Sequence, residues 1–446
     1  MSYRAADGLN EALIRDISRR KNEPEWMLDF RLKCLEIYHQ IDVPSWGPDL
    51  SGLDIAHISN YVQPDSKMVS SWEEVPVEIR QSFEDLGIPE AEREGLAGVG
   101  AQYDSELVYH NIKQATAKTG VVYLGIEEAL NHPEYAEIFK EHFMQLVPPS
   151  DHKFAALHGA LWSGGSFVYV PKNTSVEFPL QSYYRFNAPG AGQFEHTLII
   201  LDEGADLHFI EGCSAPRYNV ANLHAGCVEI FVGKGAHIKY STVESWSKNM
   251  YNLNTKRAIV AERGKIEWVS GSFGSRVSML YPMGILNGRG AGMEYTGVSL
   301  ASSDQDLDTG AKVVILAPDC HAFLNSKSIA KNGGNNTFRS LVKVAENASN
   351  SRVFMDCKSL ICDNQSRTDT VPVFDVRTKD ADAAHEASVG RISEEQINYL
   401  RARGLSEDAA KSLIVQGFAA DITKELPVEY AVEMNNYLKL SMEKNL

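Results

Sequence analysis

Several things are scarce in this chain of 446 residues, and each scarcity excludes something. Long apolar runs are missing: stretches such as Leu198 to Leu201 and Val313 to Pro318 fall far short of the roughly 20 residues a bilayer-crossing helix needs, so no membrane partner is expected. Positive charge is scarce. Lys plus Arg number 43 against 59 Asp plus Glu, a net charge of −16, so any grip on a nucleic-acid backbone would work against the overall field and no nucleic acid is expected as partner. Cysteine is sparse and scattered: Cys34, Cys213, Cys227, Cys320, Cys357 and Cys362 contain no Cys-x-x-Cys pair, which signals neither a disulfide framework nor a zinc ribbon. The N-terminal residues pass directly into a charged amphipathic stretch without an apolar signal core, which predicts a cytoplasmic protein with free thiols.

Familiar catalytic signatures are also absent. There is no Gly-x-x-x-x-Gly-Lys-Ser/Thr, no dinucleotide fingerprint around Gly288, Gly290 and Gly292, no Gly-x-Ser-x-Gly elbow and no His-Glu-x-x-His. Any nucleotide chemistry must belong to a partner.

With 43% hydrophobic and 23% charged residues, what is present is an ordinary globular composition. Residues 1–150 read as a mainly helical region, with apolar residues at three- and four-residue spacing from Asn10 to Tyr38 and from Val75 to Leu86. A proline- and glycine-rich irregular connection runs from Asp42 to Asp65, and another helical stretch from His132 to Met144. Residues 151–388 change character: short runs of Val, Ile, Tyr and Phe are punctuated by Gly, Asn and Asp. One phrase recurs there, Gly204-Ala-Asp-Leu-His-Phe209, Gly235-Ala-His-Ile-Lys-Tyr240, Arg263-Gly-Lys-Ile-Glu-Trp268 and Gly290-Ala-Gly-Met-Glu-Tyr295, its closing aromatics 27 to 31 residues apart. A turn followed by an alternating strand, repeated without intervening helices, is what a parallel β-helix requires, because each coil buries one face only when stacked on its neighbours. A β-sandwich is the weaker alternative. Residues 389–446 return to helical period. Ser393 and Gln396 form a capping box, Gly404 stops the helix, Ser406 caps the next and Pro427 opens a last one.

Near the end of the β-region, Cys357, Cys362 and the adjacent pair His385-Glu386 offer thiolate, imidazole and carboxylate, a donor set suited to iron or zinc. A thiolate can also carry sulfane sulfur as a persulfide. A structural reading stands beside this one: Cys357 fills the core, and His385 and Glu386 form a solvated step into the first C-terminal helix. Cys213, between Gly212 and Ser214-Ala215-Pro216, belongs at a strand end and is equally open to a structural or a reactive role.

The phrases Gly192-Gln-Phe-Glu-His-Thr197, Glu211-Gly-Cys-Ser-Ala-Pro216, Asn254-Thr-Lys-Arg-Ala258, Asp308-Thr-Gly-Ala-Lys312, Ser366-Arg-Thr-Asp-Thr370, His385-Glu-Ala387 and Glu425-Leu-Pro427 fall in an order and spacing that resembles the SufB/SufD family of iron-sulfur cluster assembly proteins along essentially the whole chain. The resemblance implies a right-handed parallel β-helix core between N- and C-terminal helical regions, and a non-enzymatic scaffold that accepts persulfide sulfur and iron and transfers a transient iron-sulfur cluster to apo-proteins. It implies a SufC-type ATPase on the C-terminal helical domain, SufD or a second copy of the chain on the β-helix, and a cysteine desulfurase with its sulfur-transfer protein. It also allows a reduced flavin in the complex. By the same resemblance Cys357 is the cluster-building thiol, Glu386 and His385 its companion ligands and Cys213 the sulfur acceptor. Arg185, Asn187, Glu244, Trp246 and Lys256 lie on a polar path between the two cysteines. Two positions depart from the family pattern. Ala384 stands where a carboxylate often precedes the histidine, and Glu244 replaces a glutamine. Buried near a persulfide, Glu244 would favour proton uptake unless Lys256 pairs with it. Cys34, Cys227, Cys320 and Cys362 are read as structural. The alternatives are a β-helix carbohydrate-active enzyme, which would need paired carboxylates along a groove, and a SufD-like structural paralogue, which would lack the cluster cysteine.

Overall fold

The computed structural model of the chain describes residues 3–84, 89, 95–424 and, beyond them, 431, 434, 435, 438, 439 and 442. Its centre is a parallel β-solenoid. One wall is built coil after coil from Leu180–Arg185, Asp206–Ser214, His237–Ser245, Lys265–Phe273, Gly292–Ala301, His321–Ala330, Arg352–Ile361 and Asp382–Arg391, each paired in parallel with the next. The facing wall begins as two strands per coil. A first (Gly192–Gln193, Asn222–His224, Met250–Asn252, Val277–Leu280) is followed by a second (His196–Leu201, Cys227–Val232, Thr255–Val260, Met283–Leu286), longer than the first in all but the last pair. At Asp306–Ile315 the two merge into one strand of 10 residues, a pattern kept in Asn335–Val344 and Arg367–Val376. The lumen is therefore three-walled in the first coils and flattened in the last.

The recurrent phrase of the sequence is the turn that enters the first wall. Six of these turns place a residue in the left-handed region: Gly204 (φ 69°), Gly235 (63°), Arg263 (55°), Gly290 (72°), Asp319 (62°) and Asn350 (56°). Glycine accepts this conformation freely, and Asp and Asn are the side chains that tolerate it best. Arg263 takes it without that advantage and is followed by Gly264.

Strand alternation then sorts side chains into inward rows that run the length of the solenoid. An aromatic row, Phe209, Tyr240, Trp268 and Tyr295, continues through Leu324 and Met355 to His385. Phe209 and Tyr240 stack with ring centroids 5.4 Å apart, and Tyr240 meets Trp268 edge-to-face at 5.3 Å. Beside it run two polar rows: Glu211, Thr242, Ser270, Gly297, Ser326, Cys357, Ala387; and Cys213, Glu244, Ser272, Ser299, Ser328, Ser359, Val389. The rest of the lumen is aliphatic, with Ile199, Ile230, Ala258, Leu286, Val313 and Val342 among its buried residues.

Residues 1–150 hold more than helix. Helices Glu11–Arg20, Glu25–Gln40, Val77–Glu84 and Ala136–His142 match the periodic stretches, but strands Gly98–Tyr103 and Glu106–Ile112 extend the first wall. They cover the first edge of the solenoid, which would otherwise present unpaired backbone groups. Helices Glu25–Gln40 and Lys153–Leu161, with Phe139 and Phe143, pack over the outer face of the second wall. At the other end Glu394–Ala402 is capped by Ser393, which accepts from the Gln396 N–H at 3.2 Å, and Glu407–Thr423 by Ser406. The second of these lies on the outer face of the first wall, where Lys327 Nζ donates to Phe418 O at 2.7 Å and pairs with Asp421 at 2.9 Å. The start of the helix expected from Pro427 lies outside the described residues; beyond it Ala431, Met434 and Leu438 are helical, and Met434 and Leu438 are buried with the outer face of the first wall. No described helix is long and apolar enough to cross a membrane.

Candidate functional site

The sequence-predicted residues fall at two places joined by the polar rows. The first is a buried polar cluster in the wide, three-walled coils. Glu211 and Cys213 point inward from Asp206–Ser214, Thr242 and Glu244 from the next coil, and Lys256 from the facing wall. Lys256 Nζ donates to Glu211 Oε1 at 2.5 Å and to Thr242 Oγ1 at 2.9 Å, and the Tyr240 hydroxyl donates to Glu211 Oε2 at 2.5 Å. Cys213 Sγ lies 3.9 Å from Glu211 Oε1. Burial opposes the charge on Lys256, but Glu211 and Glu244 outweigh it and hold the ammonium above its ordinary value. Burial pushes the Cys213 thiol far up, and Glu211, Glu244 and Glu195 push it further while Lys256 pulls it back. The resting group is a neutral thiol.

Lys256 takes Glu211, not Glu244, as its hydrogen-bonded partner. Burial accordingly raises the Glu244 carboxyl and favours its neutral form. Its Oε2 accepts from Asn252 Nδ2 at 2.7 Å. That fixes the Asn252 amide so that its oxygen receives His224 Nδ1–H at 2.8 Å, while His224 Nε2–H donates to Glu195 Oε1 at 2.5 Å. With both ring nitrogens placed against acceptors, the arrangement favours the imidazolium form of His224. Burial disfavours that charge, and the Glu195 carboxylate restores it, so the pKa is raised. Trp246 packs against this histidine with ring centroids 4.5 Å apart and the rings tilted by 45°, and shares an apolar pocket with Cys213, Tyr184 and Phe186.

Arg185 and Asn187 stand apart from this cluster. Arg185 lies on the row that faces away from Cys213 and donates Nη1–H to Ser214 Oγ at 2.8 Å. The Asn187 backbone N–H donates to Asp104 Oδ1 at 2.6 Å, and its side chain donates to the Tyr103 hydroxyl. Both belong to the rim where the strand leaves the lumen.

The second place is the last pair of coils. Cys357 faces inward at 2% exposure, between Ser326 and Ala387 of the neighbouring strands. Burial, with Asp356 adding, pushes its thiol up to about 12. His385 and Glu386 lie within Asp382–Arg391, not on a step into the helix as the structural reading expected, and alternation sends them to opposite faces. His385 ends the inward aromatic row beside Met355, while Glu386 sits outward beside Asp356. Cys357, His385 and Glu386 therefore do not converge within one chain. Among the described residues, the groups of three metal-capable side chains are Glu211, Cys213 and Glu244, and a separate set, His158, His196 and Cys227. The strands Arg367–Val376 and Asp382–Arg391 each have one strand neighbour, and Val373, Phe374, Val376 and Val389 are exposed around them.

Sequence reasoning missed Glu211, Tyr240, Thr242, His224, Asn252 and the serines of the rows. The signal was there: serines at 270, 272, 299, 326, 328 and 359 hold the same phase relative to the repeated turn.

The chain is similar to known proteins along nearly its whole length. The family model for the SUF system FeS cluster assembly SufBD core domain matches residues 184–418, and that for the SufBD protein N-terminal region matches residues 20–182. An iron-sulfur cluster assembly SufBD family protein of Staphylococcus aureus (strain MRSA252) is 48% identical over 441 residues, covering 99% of this chain and 94% of that protein. The protein of Bacillus subtilis (strain 168) named iron-sulfur cluster assembly protein SufB is equally similar, 48% identical over 441 residues with the same coverage. Matched in both its N-terminal part and its core, and nearly half identical to full-length relatives, the chain belongs to the SufBD family of iron-sulfur cluster assembly proteins.

Proposed function

We propose that the chain is a SufB-type scaffold without catalytic turnover of its own, which accepts sulfur at Cys213 and completes a cluster with iron at the open end of the solenoid, around Cys357. The observation that carries this reading is the pair of inward polar rows that run from Cys213 and Glu211 to Cys357 and Ser359. The two cysteines are five strand spacings apart, about 24 Å at 4.8 Å per strand. The rows keep a hydroxyl on almost every rung. At Gly297, where the side chain is missing, the Tyr295 hydroxyl occupies the space a Cβ would take.

At the entry, a donor persulfide gives its terminal sulfur to Cys213. The Cys213 S–H proton leaves, its sulfur forms the new S–S bond, the donor's S–S bond breaks, and the donor departs as a thiol that takes up the proton. The transfer is redox-neutral. Lys256 lowers the cost of the thiolate, and Glu211, 3.9 Å from Sγ, is the nearest acceptor for its proton. Onward release as hydrosulfide takes two electrons, from a thiol or a reduced flavin. A column of hydroxyls suits a small hydrogen-bonding species of this kind better than an apolar lumen would.

At the exit, one chain supplies an inward thiol and imidazole but turns its carboxylate outward. The open edge and its exposed Val373, Phe374, Val376 and Val389 favour a second solenoid, SufD or another copy of this chain, as the source of the remaining ligands. A cavity of about 440 Å³ between the C-terminal helices, lined by Glu395, Gln396, Tyr399, Leu400 and Ile414, is a suitable dock for the SufC-type ATPase. A desulfurase with its sulfur-transfer protein and apo iron-sulfur proteins complete the partner set, and family membership speaks against the carbohydrate-active reading.

The test is anaerobic co-expression with the ATPase and the second solenoid, with bound iron and sulfide quantified for wild type, Cys357→Ser, Glu386→Ala and Ser299→Leu, the last placing an apolar side chain in the polar row. The reading expects an intact complex with cluster lost in Cys357→Ser and sulfide depleted in Ser299→Leu. A Cys357→Ser complex with a wild-type cluster and spectrum refutes the exit site, and wild-type sulfide in Ser299→Leu refutes the path.

A further inference from the structure

Away from the lumen, the outer face of the second wall carries a second constellation, sealed beneath the N-terminal helical layer. His158 comes from helix Lys153–Leu161. His196 opens strand His196–Leu201, and Cys227 opens the strand beside it, in direct register with His196. All three are buried, at 2%, 0% and 1% exposure. One ligand atom from each lies within 4.8 Å of the other two. From this geometry we infer that His158, His196 and Cys227 form a structural metal centre for a divalent first-row ion of the zinc type, stapling the N-terminal helical layer to two coils of the solenoid.

The arrangement of nitrogens around the two histidines is one that an ion between them would satisfy. His158 Nε2 and His196 Nδ1 face each other at 3.0 Å, while His158 Nδ1 lies 2.8 Å from Ala225 O. The far nitrogen of His196, Nε2, stands 3.2 Å from Glu229 Oε2. Without an ion, a neutral His158 that donates from Nδ1 must accept at Nε2, so His196 must donate from Nδ1. Its Nε2 then turns a lone pair toward a carboxylate unless the ring carries a charge. With an ion, both facing nitrogens are ligands and both far nitrogens carry protons. His158 Nδ1 donates to the Ala225 carbonyl, the outer contact that fixes the tautomer of a metal-bound histidine, while His196 Nε2 is buried 3.2 Å from Glu229 Oε2 without a formed hydrogen bond. Glu229 is itself held by the backbone N–H groups of Met144 (2.6 Å), Leu146 (2.6 Å) and Val147 (2.9 Å).

Two imidazoles and a thiolate are a zinc-type donor set, with room in the coordination sphere for one further ligand. Burial holds the Cys227 thiol protonated and His158 neutral when no ion is present. Binding therefore expels the Cys227 S–H proton to solvent, and affinity falls as pH falls. The centre is independent of Cys213, Cys357 and the lumen, so its test leaves the scaffold reading untouched.

The experiment uses the full chain carrying Cys213→Ser and Cys357→Ser, so that those two thiols contribute no signal. Zinc is measured by atomic emission after gel filtration, and Co²⁺ is titrated into the chelator-stripped protein while the thiolate-to-cobalt charge-transfer band is followed. The expected result is about one ion per chain, a cobalt band in this parent, and at least about a 10-fold loss of affinity with no such band in Cys227→Ser. His158→Gln should weaken binding while keeping the thiolate band. A folded parent that holds no zinc and gives no cobalt band overturns the inference whatever the variants do, and so does an undiminished band in Cys227→Ser.

Discussion

The ion pair of Lys256 and Glu211 is the most exacting test of the buried cluster. Both side chains are 2% exposed, and their 2.5 Å contact is reinforced by Thr242 and Tyr240. Removing one member of such a pair leaves the other charge desolvated and alone, which costs about 3–5 kcal/mol, whereas removing both charges together is often close to neutral. Lys256→Met should therefore destabilise the chain by about 3–5 kcal/mol, and the double variant Lys256→Met/Glu211→Gln should recover most of that loss, because a glutamine can still accept from Tyr240. The difference between the double variant and the sum of the singles gives the coupling, expected at about 2–3 kcal/mol. Equilibrium urea unfolding followed by far-ultraviolet circular dichroism measures it. The double variant also separates stability from chemistry. Its fold should be restored, but Cys213 has lost its nearest cation and should be slow to accept persulfide sulfur from a labelled donor. A Lys256→Met loss below about 1 kcal/mol, or a double variant no more stable than the worse single, would refute the claim that this pair holds the two walls together.

The buried Cys357 thiol, pushed up to about 12, should be alkylated about 10³-fold more slowly at pH 8 than an unperturbed cysteine, measured by mass mapping; wild-type protein labelled at an ordinary rate contradicts the inward orientation. Gly297→Ala should cost about 1–3 kcal/mol because the new methyl competes with the Tyr295 hydroxyl, and adding Tyr295→Phe should return most of it in thermal unfolding. Glu244 is raised by burial, so the folded chain binds its proton more tightly than the unfolded chain does. Its contribution is full below the ordinary carboxylate range and is lost as pH rises through the folded value. Glu244→Gln should then gain stability relative to wild type on moving from acidic to alkaline buffer, and a pH-independent difference would show that folding does not raise the Glu244 carboxyl.

Much of the fold is legible in the sequence, because the turn at Gly204, Gly235, Arg263 and Gly290 recurs with alternating strands behind it. The same alternation makes the opposite orientation of His385 and Glu386 legible once both are placed in a strand. Strands Gly98–Tyr103 and Glu106–Ile112 escape, since their small and mixed side chains carry little periodic signal and their pairing is set by the edge they cover. The union of Lys256 with Glu211 escapes for another reason. They are far apart in sequence and on facing walls, so nothing local distinguishes Glu211 from Glu244 as the partner. His158, His196 and Cys227 lie in three separate elements, and only the docking of the N-terminal layer brings them together. Arg185 and Asn187 are assigned to the path by resemblance, but their strand leaves the lumen at that point and carries them to the rim.

The stacked coils impose a discrete length scale on this chain. Its two inward cysteines are separated by a whole number of strands, and no loop insertion or side-chain substitution can change that number. Only the gain or loss of a complete coil can do so, and each would move the two thiols by about 4.8 Å while leaving the chemistry at either end as it was. The distance between entry and exit is thus counted rather than tuned. Relatives built on the same plan should differ in that distance by rungs, never by fractions of one.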